Sequence, residues 1–423
     1  MLSSLIIRSY GTIVPWLYFF GAALAAVWLA IAPHPARAEQ PAARTEVVAA
    51  LRDDFARAQQ LIAEGHEPEA QAILERLVTI APETPAFRFF LAELLLRRGE
   101  LDRAQFHYDA LRGAPLSAGD RSHVDGRSAA LSRNFRWRAY LSFGIVPQTN
   151  IGKRTGSDTI TVGGLDFALD DTSRAGSGTG LAYSAGASRR LVLEPRTALS
   201  FGVQGSGVAY SDRRFNDTQV RGFFGVERQL NPRLILDAGV HQTHRLLADS
   251  TYAHGPGVWL GARTSLGRAT VLTARAQLDR LTYPEARGLN GTRRALSFGL
   301  RHQATPALTL TAQLAIDRTD AEMASQAGDG ATIAFGLRQT FAGGMTVGLD
   351  ASARHEDRDA ADPLFALRRK DRTTAVALKL MHRDFRVLDH APMLEVRHEK
   401  RRSNLPVATF ENTSVGIYFT REF

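Results

Sequence analysis

The run HQTH carries His241 and His244 three residues apart, a spacing that on a helix would let two imidazoles share one metal ion. On a strand the same spacing sends the rings to opposite faces, so the surrounding element decides the chemistry. A second charged run, EKRR (Glu399 to Arg402), is placed in the last long loop, where it is either a contact for an acidic surface or client, or a solvated stretch. No G-x-S-x-G, H-E-x-x-H, Walker or G-x-G-x-x-G arrangement occurs. With no cysteine, thiolate chemistry and disulfides are excluded. The reading is therefore of no catalytic residue, no cofactor and no metal. The net charge of +9 is carried by arginines spread along the chain rather than massed in one arm, which argues against nucleic acid as a partner.

The elements that position these residues begin with an address. Arg8 precedes an apolar run from Val14 to Ala32, and Ala36-Arg37-Ala38 has the small-x-small form of a signal-peptidase site before Glu39. Residues 1–38 are read as a signal peptide; the run is also long enough to be an uncleaved anchor helix.

Residues 39–133 are read as a helical domain, rich in Ala, Leu, Glu, Arg and Gln at helical spacing. Leu61, Gly65, Ala70 and Leu77 align with Leu95, Gly99, Ala104 and Leu111, each pair 34 residues apart, the period of a tetratricopeptide (TPR) repeat. The glycine ends the first helix of each pair, the alanine lets the second pack close, and Pro82 closes the repeat. Two repeats bury little surface, so a third helix pair is expected from Val47 to Ala58 or from Ala118 to Leu131.

From Asn134 the period changes from helical to alternating. Phe135, Trp137, Ala139, Leu141, Phe143 and Ile145 share one face of the first strand, and Met345, Val347, Leu349, Ala351 and Ala353 face away from Asp350, Ser352 and Arg354. Short turns at Pro195, Pro232, Gly267, Pro306, Gly343 and Asp384 recur at intervals of 37, 35, 39, 37 and 41 residues. Seven looser connections lie between them, near 151–178, 212–216, 246–250, 284–291, 320–328, 357–370 and 401–410. Thirteen connections imply about fourteen strands. The fold class expected is α + β in two domains: a TPR-like helical repeat, then a transmembrane antiparallel β-barrel over 134–423, with apolar side chains toward outer-membrane lipid and polar ones toward the lumen. On such strands His241 and His244 face opposite ways.

The last strand, NTSVGIYFTREF, places Val415, Ile417, Phe419 and Phe423 at alternate positions and ends on an aromatic residue. This resembles the signal read by the barrel-assembly machinery; Arg421 departs from the pattern.

The combination of a TPR segment fused to a barrel of this size resembles the surface lipoprotein assembly modifier (Slam) family, outer-membrane components of type XI secretion. The local markers are FRWRAYLSFGIVPQTNIG, a long first loop and GSGTGLAYSAG (Gly176 to Gly186). Of the Asp-Ser-Asn-Ile-Asn type motif that follows the first strand in that family, Gln148-Thr149-Asn150-Ile151-Gly152 keeps Asn150 and Ile151. The resemblance implies a translocon in the Gram-negative outer membrane, with the helical repeat in the periplasm. Its implied partners are an exported client, either a lipoprotein or a small soluble barrel protein, and periplasmic chaperones. Three other readings stay open from the residues alone: a passive pore with a TPR docking domain, a polysaccharide-export component, and an outer-membrane hydrolase drawing on the many His, Asp and Ser residues.

Overall fold

The structure is a computed structural model that describes residues 41–423, apart from 135–136, 163, 171–172, 383–384, 386–390 and 423. The chain divides into two compact units, Met1–Arg57 and Ala58–Phe423. Among the described residues no helix is long and apolar enough to cross a membrane. The apolar run Val14 to Ala32, with Ala36 and Ala38, lies outside them.

Among the described residues five helices come first: α1 (Pro41–Ala63), α2 (Glu67–Ile80), α3 (Pro85–Arg97), α4 (Leu101–Leu111) and α5 (Ala118–Asn134). The repeat glycines end α1 and α3 in the left-handed conformation, Gly65 at φ 83° and Gly99 at φ 76°. The chain then closes each end alike, His66 N donating to Leu61 O at 2.8 Å and Glu100 N to Leu95 O at 2.9 Å. This is the Schellman stop, whose left-handed residue is inexpensive only for glycine. Ala70, Leu77, Leu95, Ala104 and Leu111 are fully buried and Pro82 is buried between α2 and α3. Leu61 is half-buried. Among the described residues the third helix pair expected from the flanks does not form: Val47 to Ala58 lies within α1, the first helix of the first repeat, and α5 is a single helix.

A closed antiparallel barrel follows, formed by β1 (Trp137–Gln148), β4 (Gly178–Glu194), β5 (Thr197–Tyr210), β6 (Asp217–Asn231), β7 (Leu234–Leu247), β8 (Ser250–Leu266), β9 (Thr270–Leu281), β10 (Gly291–Gln303), β11 (Leu308–Ala321), β12 (Gly328–Thr340), β13 (Met345–Ala361), β14 (Arg368–His382), β15 (Met393–Ser403) and β16 (Phe410–Glu422). Each strand pairs with its neighbour in sequence, and β1 closes the barrel against β16. Every backbone ladder is thus internal, as hydrocarbon requires. Phe143, Leu260, Phe298, Leu314 and Val376 are exposed at alternate positions and form an apolar outer surface.

The strands run to 17 residues, longer than the ten expected. The added length projects beyond the apolar belt at the loop end and is laced by ion pairs such as Arg245–Asp217 and Arg318–Asp359. Two connections differ from expectation. The link near 246–250 is a tight turn with Ala248 at φ 51° and Asp249 at φ 61°, two left-handed residues that match hairpin twist. The first loop holds an unexpected hairpin, β2 (Thr159–Val162) with β3 (Leu165–Ala168).

Within the second unit the helices meet the barrel at its short-turn end. Gly343 N, in the β12–β13 turn, donates to Thr79 O at 2.9 Å, and Thr305 Oγ1, in the β10–β11 turn, donates to Glu83 Oε1 at 2.9 Å. A Cβ on Gly113 would fall 2.6 Å from Gln303 O, so the α4–α5 link approaches as close as glycine allows.

Candidate functional site: the closing seam and the lumen

β1 and β16 form the seam where the barrel closes, and the alternating residues of the last strand lie on it. Val415 and Ile417 are exposed on the outer face, Ile417 opposite Ile145. Phe419 stacks on Phe143 with ring centroids 5.4 Å apart and planes at 21°. On the inner face the Ser142 and Thr420 hydroxyls are 2.9 Å apart. Tyr418 lies across Gly144, where a Cβ would sit 2.6 Å from its ring, and covers Gly416 as well. An aromatic ring resting on strand glycines supplies packing that those glycines lack. Phe423 and the Arg421 side chain lie outside the described residues.

At the loop end the seam is clasped by two asparagines. The Asn412 carboxamide accepts from Asn150 N at 2.9 Å and donates to Gln148 Oε1 at 2.9 Å. Asn150, only 2% exposed, donates from Nδ2 to Arg154 O at 2.7 Å and to Glu411 O at 3.1 Å, and its Oδ1 accepts from Arg154 N at 3.0 Å. Ile151 N donates to Gly176 O at 2.9 Å, and the Ile151 side chain covers Gly178. Lys153 then reaches Glu399 of β15 at 3.0 Å, and the Arg154 guanidinium lies 5.0 Å from the Phe215 ring. The motif after the first strand therefore ties the first loop to β4, β15, β16 and the β5–β6 loop.

The lumen wall has two characters. On β7 to β9, Asp237 accepts from Trp259 Nε1 at 2.7 Å and from Arg275 at 3.2 Å, while His241 pairs with Asp279 at 2.7 Å, both side chains almost fully buried. On β10 to β15, Arg354 holds Asp317 through both nitrogens at 2.8 and 3.1 Å, and Lys379 holds Asp350 at 2.7 Å. Each carboxylate thus meets a cation or donor on another strand, which stiffens that wall. Beside the seam many of the inward positions, which alternate with exposed Leu181 and Val203, are small: Ser184, Gly186 and Ser188 on β4, Gly202 and Ser206 on β5. There a cavity of about 260 Å³ opens between Arg138, Tyr140, Ser188, Gln204 and Phe223.

In the helical part Glu93 of α3 is the hub. It accepts from Tyr108 Oη of α4 at 2.6 Å, and His123 and Arg127 of α5 stand at 3.0 and 3.3 Å. Burial pushes its carboxyl up, but those hydrogen bonds and the Arg127 charge outweigh it and hold Glu93 below the ordinary carboxylate value. Burial, then the Glu93 bond, raises the Tyr108 phenol well above its usual range.

His241 and His244 face opposite sides of β7: His241 pairs inward with Asp279, while His244 lies 6.0 Å from His254 and bonds Thr251. Among the described residues no group of three or more His, Asp or Glu side chains is placed to hold a metal ion. The run Glu399 to Arg402 is not in a loop but in β15, because its side chains are partnered: Glu399 by Lys153, Lys400 by Glu411 at 2.6 Å, and Arg401 over the Phe410 ring at 4.6 Å. Asn412 and Tyr418 were not foreseen from sequence, although glycines at 144 and 416 inside otherwise regular strands are a signal of close approach.

Both parts of the chain match known families. A family model described as surface lipoprotein assembly modifier matches residues 137–423, and one described as tetratricopeptide repeat matches residues 48–115. A relative named surface lipoprotein assembly modifier 1 from Haemophilus influenzae is 19% identical over 382 residues, covering 88% of this chain and 77% of the relative. The protein of the same name from Neisseria meningitidis is 24% identical, covering 85% and 74%. Solved structures that align include the Pseudomonas putida toluene transporter TodX, with TM-score 0.39, 13% identity and coverage of 70% of this chain and 92% of that one. The outer-membrane channel DcaP of Acinetobacter baumannii aligns with TM-score 0.41 and 8% identity, covering 68% and 96%.

Proposed function

The chain belongs to the surface lipoprotein assembly modifier family, and from that membership we propose that it is an outer-membrane translocon delivering lipoprotein clients from the periplasm to the cell surface. The observation that supports this reading is that, within the second unit, repeat helices abut a closed barrel: α2, the α2–α3 link and the α4–α5 link sit on the short turns of the barrel. Barrels of the outer membrane turn their short connections to the periplasm and their long loops outward. The helical repeat then stands at the periplasmic mouth, where stacked helix pairs offer a surface to an exported chain or its chaperone.

A lumen walled by paired charges on one side and by several small residues on the other suits a chain in transit, because much of the wall is polar or small and the aromatic rings on it, such as Trp259 and Phe223, are spaced among polar groups. Barrel-assembly machinery would read the seam strand that carries Val415, Ile417 and Phe419. The test is co-expression with a candidate lipoprotein, scoring its surface exposure by protease digestion of intact cells. Delivery is expected with the full-length protein and is expected to fail when α1 to α5 are deleted. Equal exposure in cells lacking the protein would refute the reading.

A further inference from the structure

The seam that closes the barrel has a broken ladder. Among the described residues β1 pairs with β16 at seven positions, against twelve with β4. The register runs unbroken from Tyr140–Glu422 to Ile145–Ile417, skips two positions, and resumes at Gln148–Ser414. The break has a cause in the sequence. Thr149 N donates to Thr413 O across the seam, so alternation would call next on the nitrogen of residue 147, which is proline and has no proton to give. Pro256 removes a rung between β8 and β9 in the same way, but there ten consecutive pairs from Gly257–Asp279 and the His254–Thr282 bridge hold the strands together. Below Pro147, the inner face of the seam is held by a tyrosine resting on glycines and by one hydroxyl pair. Directly beside it lie the small-residue wall and the cavity at Arg138 and Tyr140.

We propose that β1 and β16 separate beneath the Asn150–Asn412 clasp, and that the exposed edge of β1 pairs with an extended strand of the exported chain. This rests on the translocon reading and adds where the client binds. A bare strand edge in lipid leaves backbone groups unpaired, so the seam opens only when another strand takes the place of β16. The occupant that fits is a client segment with apolar residues at alternate positions, since β1 shows Phe143 and Ile145 to lipid and Tyr140 and Ser142 to the lumen. The clasp keeps the outer ends of the two strands together, so that the seam recloses in register.

The chain has no cysteine, so an introduced pair forms its sole disulfide. Ser142 and Thr420 are directly paired at a non-hydrogen-bonded position, the closer type of pair and one a disulfide can span. A control at the same kind of position, facing the lumen on β12 and β13, is Ala334 with Ser352. Under oxidising conditions Ser142→Cys/Thr420→Cys should lower surface delivery of a lipoprotein client at least tenfold, with recovery on reduction; Ala334→Cys/Ser352→Cys should deliver like the parent in both states. Recovery on reduction separates a locked seam from a misfolded barrel. Ser142→Cys alone should also form a mixed disulfide with a cysteine placed in the client strand, and Ser352→Cys alone should not. Full delivery by a verified crosslinked seam would overturn the proposal while leaving the translocon reading intact. A parent protein that delivers no client would overturn both.

Discussion

Asn412 illustrates how little of the site a single residue shows before its partner is placed. Asn150 could be singled out by its resemblance to a family motif, but its contact to Asn412 spans 262 residues of sequence and is created only when the barrel closes. Asn412→Ala should leave the buried Asn150 N–H without its acceptor, at a cost of about 1–3 kcal/mol. The measurable outcome is a lower temperature at which the folded, fast-migrating form is lost in semi-native electrophoresis. Asn412→Asp keeps the acceptor and should lose less; equal losses would contradict the assigned hydrogen bond. Glu93 gives a second expectation at this scale. Its carboxyl is held below the ordinary 4.5, so the stability it contributes is fully present above that value and is lost as pH falls through its lowered value. Thermal melting of the helices should therefore show Glu93→Gln less stable than the parent at pH 7, with the difference shrinking below pH 4.5. A difference that persists unchanged to pH 3 would contradict the ion-paired geometry.

Elements were legible where a period repeats. The 34-residue offset located both helix stops, and the positive φ of Gly65 and Gly99 explains why glycine recurs there. No atom lies within 4 Å of a Cβ built on Gly99, so Gly99→Ala should cost only the left-handed conformation, about 1–2 kcal/mol, read as a lower helical melting temperature. Strand count followed from turn spacing, and the β2–β3 hairpin escaped notice because its four-residue strands are too short to show a period. The tight Ala248-Asp249 turn was missed because neither residue is glycine or asparagine, the usual markers of left-handed turn positions. Glu399 to Arg402 looked like a loop because charge was taken for solvent; in β15 those charges face partners on β16 and in the first loop.

At the scale of the whole molecule, alternation in sequence becomes a barrel with one face for lipid and one for the lumen. Phe298 lies midway along β10 on the outer face, 47% exposed. Phe298→Arg should cost about 2–4 kcal/mol if that face meets the bilayer midplane, with a matching loss of assembled barrel in membranes. Full assembly of that variant would argue against lipid on the outer face. The seam, by contrast, was not legible as a site, because its missing rung is a relation between Pro147 and a strand that begins more than 250 residues later. The central claim is that this one chain moves a lipoprotein across a bilayer, and the most direct measurement uses purified protein in liposomes with a chaperone-held lipoprotein client added outside and no nucleotide. The expected result is client that becomes resistant to external protease only in vesicles containing the full-length protein and sensitive again when detergent opens them. Equal protection in empty vesicles, or none with the protein present, would contradict it.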